Sequence, residues 1–284
     1  MTRPRIALFV LEALPNARAV RRFVDEHAAD IAFVGLSNAE RPSSGGLVGQ
    51  VRRHLTRSGP AILPYLGVNF GLPDLLAPLS PLTRRLTGSG PSSHATPLRE
   101  LCRQVSIPTL KVDDVNGPEV AKAFAEHAPD LIVTFHFDQI LSGTTLMRAP
   151  LGGLNVHPGL LPHHRGPVPT IHALAEDEPA FGVTIHRLAV TIDAGAILAQ
   201  QAVRLPDDTT ATRAAIRLHE HGRVLLDGVL VDLAEGRLPA GETVPILPYC
   251  PFPDRALLKA LRRRGRKLTD AQDLWEALAL SAKA

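Results

Sequence analysis

Four short apolar runs, set apart by stretches of helical spacing, constrain this chain more than any other feature. They are residues 5–11 (RIALFVL), 30–36 (DIAFVGL), 107–112 (IPTLKV) and 130–135 (DLIVTF). Most of each run is apolar, with β-branched and aromatic side chains, as a strand covered on both faces requires. Residues 17–27, 97–106 and 117–127 carry apolar side chains at helical spacing between them. This rhythm predicts an α/β fold, a mostly parallel twisted sheet with helices on both faces. Sites in such sheets form beyond the carboxyl ends of the strands. Residues 181–188 and 197–205 are two more extended runs, with Ile192-Asp193-Ala194-Gly195 as a turn signal between them. The pair is either antiparallel or the flank of a longer loop.

The pattern changes after residue 205. Residues 209–236 read as a long helix, 242–253 as Pro-rich and extended, and 253–280 as helix broken at Gly265. The expected organisation is a first unit over 1–205 and a mostly helical C-terminal extension over 206–284. Residues 41–96 form an irregular insertion within the first unit, with a basic helix at 48–57 and a Pro-punctuated apolar stretch at 61–82. Long insertions of this kind are lids, binding loops or covers for a sheet edge.

Composition narrows the partners. Aromatic content is 4% and the formal charge is +3, which supplies neither the stacking platforms nor the basic field of a nucleic-acid binder. The basic run Arg262-Arg263-Arg264-Gly265-Arg266-Lys267 reads as a solvated helix face. Cys102 and Cys250 have neither disulfide nor metal spacing and read as packed thiols of a reducing compartment. Residues 61–73 are the longest apolar stretch without charge, short of the ~18 residues a membrane helix needs. Residues 6–11 are too short for a secretory core. No membrane association and a cytoplasmic location are therefore expected.

The informative stretch is 152–166, GGLNVHPGLLPHHRG. Asn155 and His157 stand two apart on a strand, so both point to one face. An amide N–H can hold an oxyanion and an imidazole can donate to it or move protons, the requirements of acyl transfer. Alone, such a pair is equally a hydrogen-bonded couple at a strand end. His157, His163, His164 and His172 raise the question of a metal. No Cys lies near, and adjacent His163 and His164 cannot both point inward, so none is expected. His172 and His186 read as structural, and His163 and His164 as solvent-facing or at an entrance.

With its flanks, this stretch resembles the 10-formyltetrahydrofolate-dependent formyltransferase family, whose members act on glycinamide ribonucleotide, methionyl-tRNA or nucleotide sugars. Asn155, His157, Pro158, Leu160, Leu161, Pro162 and Gly166 match its first block, Gly182-Val183-Thr184 its second and Asp193-Ala194-Gly195 its third. Gly159 stands where Ser or Gly is usual. The resemblance implies the Rossmann-like formyltransferase fold, 10-formyltetrahydrofolate as formyl donor, and Asn155, His157 and Asp193 as the catalytic trio. Asp193 beside His157 is expected to favour a charged imidazole. Phe137, Gln139, Ile140 and Leu141, with Ala189, Val190 and Ile192, correspond to the folate-side pocket.

The resemblance also bears on the acceptor. Members acting on glycinamide ribonucleotide have a Gly-rich phosphate loop after the first strand. Here that place reads Leu11-Glu12-Ala13-Leu14-Pro15-Asn16, with no glycine and one carboxylate. The tRNA enzymes end in a barrel of strands, whereas this tail is helical. A small-molecule amine, an amino sugar or a specialised-metabolite amine, is the expected acceptor. Stretches 61–82 and 249–255 are candidate specificity elements. The tail after the core offers a surface for a homodimer. A formyl-folate hydrolase, another one-carbon transferase, or an idle folate- or nucleotide-binding protein are the competing readings.

Overall fold

The computed structural model describes residues 3–41, 45–71, 97–237 and 240–281. The four apolar runs form strands β1 (Ile6–Val10), β2 (Ile31–Ser37), β3 (Thr109–Val112) and β4 (Leu131–Phe135). They join β5 (Gly153–His157), β6 (Gly182–Arg187) and β7 (Ile197–Ala202) in one seven-stranded sheet of order β3-β2-β1-β4-β5-β6-β7. Strands β1 to β5 pair in parallel. Strand β6 pairs antiparallel with both β5 and β7. The sheet is therefore mostly parallel, and the extended pair at 181–205 is antiparallel. The chain winds outward from β1 to β3 and then returns to place β4 on β1's other side. The crevice beyond the ends of β1 and β4 is the switch point where such sheets bind ligands.

Alternation along the strands divides the core. Ile6, Leu8, Val10, Leu131, Val133 and Leu154 pack on one face under helices α1 (Ala17–Glu26) and α3 (Leu98–Gln104). Ala7, Phe9 and Phe33 pack on the other under helix α4 (Pro118–His127), where Phe9 and Phe124 stack at 6.2 Å. Helix α2 (Gly46–Ser58) covers the expected basic helix at 48–57, and short helical turns follow to residue 71. Of the insertion, 42–44 and 72–96 lie outside the described residues. Two short helices, α5 (Gly143–Leu146) and α6 (Pro169–Ala175), follow β4 and β5.

The long helix α7 (Ala211–Ala234) was expected in the C-terminal extension. Its Leu226, Val229 and Leu230 belong to the same core cluster as β1 and β4. Gly222 allows this approach, because a Cβ there would stand 2.4 Å from Val156. Helices α8 (Arg255–Arg263) and α9 (Ala271–Ser281) follow, broken at Gly265 as the sequence suggests. Asp273 accepts from Thr210 at 2.8 Å and so ties α9 to the N-cap of α7.

Helices α1 and α7 are joined through His27, whose Nε2 lies 2.9 Å from Asp227. The Asp227 hydrogen bond, against some loss from burial, raises the His27 pKa above its usual value. A raised histidine pKa contributes stability that is fully present below the unfolded value near 6.5 and is lost as pH rises through the folded one. We therefore expect His27→Gln to cost on the order of 1 kcal/mol or less at acidic pH and nothing well above neutrality. Thermal unfolding of both proteins across that range checks this. An equal loss at both ends would contradict it.

Candidate active site

Strand β5 places Asn155 and His157 on one face, as the spacing predicts, and β6 brings the partner that the sequence reading missed. His186 is the cross-strand neighbour of Asn155. Its Nδ1 lies 2.9 Å from the Arg187 carbonyl, which can only accept, so Nδ1 carries the proton. Nε2 is then an acceptor and takes a hydrogen bond from Asn155 Nδ2 at 3.0 Å. Asn155 Oδ1 accepts from Thr134 at 2.7 Å. The amide is thus held at both ends and keeps one N–H free of these contacts. His186 is a member of the site and not the structural residue expected. The signal was present in GVTIH, where alternation puts Thr184 and His186 on one face. The antiparallel register that pairs it with Asn155 was not readable.

Asp193 reaches this cluster from the loop between β6 and β7. Its Oδ2 lies 3.7 Å from His157 Nδ1 and its Oδ1 3.6 Å from His186 Nε2. Gly166 N–H donates to Oδ2 at 2.8 Å. Asp193 has a positive φ of 48°, a conformation Asp tolerates better than most residues. Arg165 donates to the Ile192 carbonyl at 3.1 Å and braces the loop from below. Asp193, distant in the chain, therefore joins Asn155 and His157 around one point.

The motif glycines and threonine have separate tasks. A Cβ on Gly182 would lie 2.4 Å from Leu160, and one on Gly195 would lie 1.8 Å from the Arg187 carbonyl. Thr184 donates to the Gly159 carbonyl at 2.7 Å and accepts from Leu161 N–H at 3.2 Å. These contacts pin the loop after β5 to β6.

Burial decides the charges. His157 is 3% exposed, and its Nε2 has no hydrogen-bond partner among the described residues. Burial lowers its pKa to about 4, against the opposing pull of Asp193. The expectation of a charged imidazole is corrected on this point: the loss of solvation outweighs a carboxylate held beyond hydrogen-bond distance. Burial also works against the Asp193 charge. The His157 and His186 rings and the Gly166 N–H outweigh it and hold the carboxyl at about 2. At neutral pH the site holds a neutral imidazole and an ionised carboxylate.

His157, His186 and Asp193 offer ligand atoms within 4.8 Å of one another, a different group from the histidines weighed in the sequence. The lone pair of His186 Nε2 is already engaged by Asn155, which disfavours a metal there. The second such group, Glu26, His27 and Asp227, already has the Arg223 guanidinium on both its carboxylates. His164 does not face solvent freely: its Nε2 lies 2.9 Å from Glu176 and its ring stacks on His172. His163 is exposed.

The expected folate-side residues lie in two loops, one after β4 and one after β6. Ile140 and Val190 are exposed apolar side chains. A Cβ on Gly143 would touch Val190 at 3.9 Å, so the loops lie side by side. Ala189 and Ile192 are half-buried beside Val190. Leu141 is buried and Phe137 packs on Phe9 at 5.4 Å. Gln139 donates to Ser37 and the Val112 carbonyl and accepts from Val115 N–H, so its amide braces the loop from behind. On the other side, Cys250 N–H donates to the Arg165 carbonyl at 2.7 Å, which sets the expected specificity stretch at 249–255 beside Asp193.

Comparison with known proteins bears on the family and the fold. The sequence profile of the family described as Formyl transferase matches residues 86–230. Glycinamide ribonucleotide transformylase 1 from Symbiobacterium toebii superposes with a TM-score of 0.53 at 18% identity, over 83% of this chain and 89% of that one. A sugar N-formyltransferase from Shewanella sp. FDAARGOS_354 gives 0.51 at 17% identity, over 97% and 87%. A sugar 3N-formyl transferase solved in the presence of dTDP and 5-N-formyl-THF gives 0.54 at 13% identity, over 89% and 71%. At these identities the likenesses speak for the fold.

Proposed function

The chain belongs to the formyl transferase family, and on that premise we propose that it moves a formyl group from 10-formyltetrahydrofolate to the amine of a small molecule, an amino sugar or a specialised-metabolite amine. The observation that carries this reading is the meeting of Asn155, His157, His186 and Asp193 at one buried point. The folate supplies the formyl carbon. Exposed Ile140 and Val190 on these adjoining loops offer apolar side chains to a flat heteroaromatic ring, which needs greasy walls and a few backbone hydrogen bonds.

Asn155 turns its remaining N–H toward the charge that builds on the carbonyl oxygen under attack, a contact worth on the order of 10²–10³ in rate. His186 holds that amide in the donating orientation. Neutral His157 exchanges a proton with the reacting nitrogens. Ionised Asp193 orients the imidazole and stabilises it whenever it takes up charge. The net proton passes from the attacking amine to the departing folate nitrogen.

Glu12 supports an acceptor without phosphate at the loop after β1. Its carboxylate pairs with buried Arg21 and accepts from Leu98 N–H at 3.0 Å, so that position already holds an anion. Incubation with 10-formyltetrahydrofolate and a panel of amino sugars and amines tests the reading. Mass spectrometry is expected to show one amine gaining a formyl group while tetrahydrofolate is released. Folate release without any amine would replace transfer by hydrolysis.

In the described residues no helix is long and apolar enough to cross a membrane. A unit boundary near 206 and a homodimer through the tail remain part of this proposal.

A further inference from the structure

His219 belongs to none of the motif blocks. It lies on α7 and is fully buried. Its Nδ1 is 2.7 Å from the Ala215 carbonyl, so Nδ1 carries the proton and Nε2 is left as an acceptor. That Nε2 is buried without a hydrogen-bond partner among the described residues. Burial lowers the ring's pKa and His136 and His157 oppose its charge, so it stays neutral. A buried acceptor left unpaired costs free energy. A donor group on a ligand would satisfy it.

The surroundings show which ligand. His136 follows β4, and the β4–β5 register puts it abreast of His157 at the strand ends. Its ring meets that of His219 edge-on at 5.8 Å and stacks on Phe70 at 5.6 Å. Its carbonyl accepts from Leu11 N–H, so His136 sits at the switch point between β1 and β4. Asn69, beside Phe70, donates to Thr212 on α7 and accepts from Leu14 N–H through its carbonyl. The turn carrying Phe70 is thereby tied to both walls of this crevice. Phe70 and His136 are partly buried and His219 fully so, which puts His219 at the inner end of the cluster.

We propose that Phe70, His136 and His219 form the acceptor subsite and that His219 Nε2 accepts a hydrogen bond from a hydroxyl or amine of the acceptor. The cluster is neutral, offers aromatic faces and ends in one lone pair. It suits a hydroxylated ring with an apolar C–H face, the chemistry of an amino hexose, and gives nothing to a phosphate. His219 is then a specificity-determining residue. This inference rests on the formyl-transfer reading of the neighbouring site.

The test compares full-length wild type with His219→Phe, which keeps a ring and removes the lone pair, and with His219→Gln, whose amide can still accept. The probes are 10-formyltetrahydrofolate with a panel of free and nucleotide-linked amino hexoses, and 5-formyltetrahydrofolate for the donor side. For the best amino hexose, His219→Phe is expected to raise KM about tenfold or more, the scale of one buried hydrogen bond, with a smaller change in kcat. His219→Gln recovers part of it. Calorimetric affinity for 5-formyltetrahydrofolate stays within about twofold, the margin a structural change would exceed. An unchanged KM, or a donor affinity lost in step with it, overturns the inference and leaves His219 a packing residue.

Binding separates this from the activity itself. In wild type, the ¹⁵N resonance of His219 Nε2 is expected to shift when glucosamine is added. A shift without turnover by any amine would sink the transferase reading and keep the subsite. Neither shift nor turnover would sink both.

Discussion

Replacing His157 with alanine lowers turnover by at least ~10², the scale of losing a positioned acid–base group, while the fold survives. The imidazole is held by few polar contacts. Its Nε2 has no partner among the described residues, and its Nδ1 lies 3.7 Å from Asp193, beyond a hydrogen bond. What it offers is a neutral ring beside an ionised carboxylate, on the same strand face as Asn155. The pH dependence carries the same information. Burial holds the His157 pKa near 4, so the ring is neutral above that value and charged below it. The acid limb of kcat/KM for the wild type is therefore expected near 4 and not near the ordinary histidine value. Single-turnover formyl transfer and a thermal melt of His157→Ala check the first part, and a pH–rate profile checks the second. Near-wild-type turnover, or an acid limb at the ordinary value, would sink the role assigned to this ring.

Gly195→Ala is expected to lose as much activity by a different route. A Cβ there would stand 1.8 Å from the Arg187 carbonyl oxygen and 2.8 Å from its carbon. Both atoms belong to the end of β6, which is held in the sheet on two sides and cannot retreat. The loop must move instead. Asp193 lies two residues away, and its carboxylate would leave the Gly166 N–H and the two imidazoles. A shift of about 1 Å in a positioned group costs on the order of 10² in rate. A drop of several degrees in Tm is expected as well, because the strain falls on backbone. Gly228→Ala is the control. No atom lies within 4 Å of a Cβ there, and the site is a helix interior, so it should melt at or above the wild-type temperature. Equal behaviour of the two variants would mean that the close approach at Gly195 is not what holds the loop.

Local pattern was enough for the elements and for three of the four residues at the candidate site. Each strand run matches one observed strand to within three residues at either end, because a strand covered on both faces must be apolar throughout. Asn155 and His157 share a face because side chains alternate along any strand. Motif blocks carried Asp193, which periodicity alone would have left as a turn residue. His186 and His219 escaped. Nothing near them in sequence says that β6 runs antiparallel with Asn155 opposite His186, or that α7 packs across β5 and β6 with His219 inward. The charge on His157 escaped for a related reason. A carboxylate two strands away suggests a charged imidazole, and only the depth of burial reverses that.

The sequence by itself determined the α/β layout, the family and the residues of the motif, since periodicity and residue identity are properties of neighbours along the chain. Tertiary structure decided the strand register, the fourth residue at the candidate site, the protonation of its histidine and the inward face of α7. Those depend on which distant groups share a space and how much water reaches them, and desolvation has no local signature.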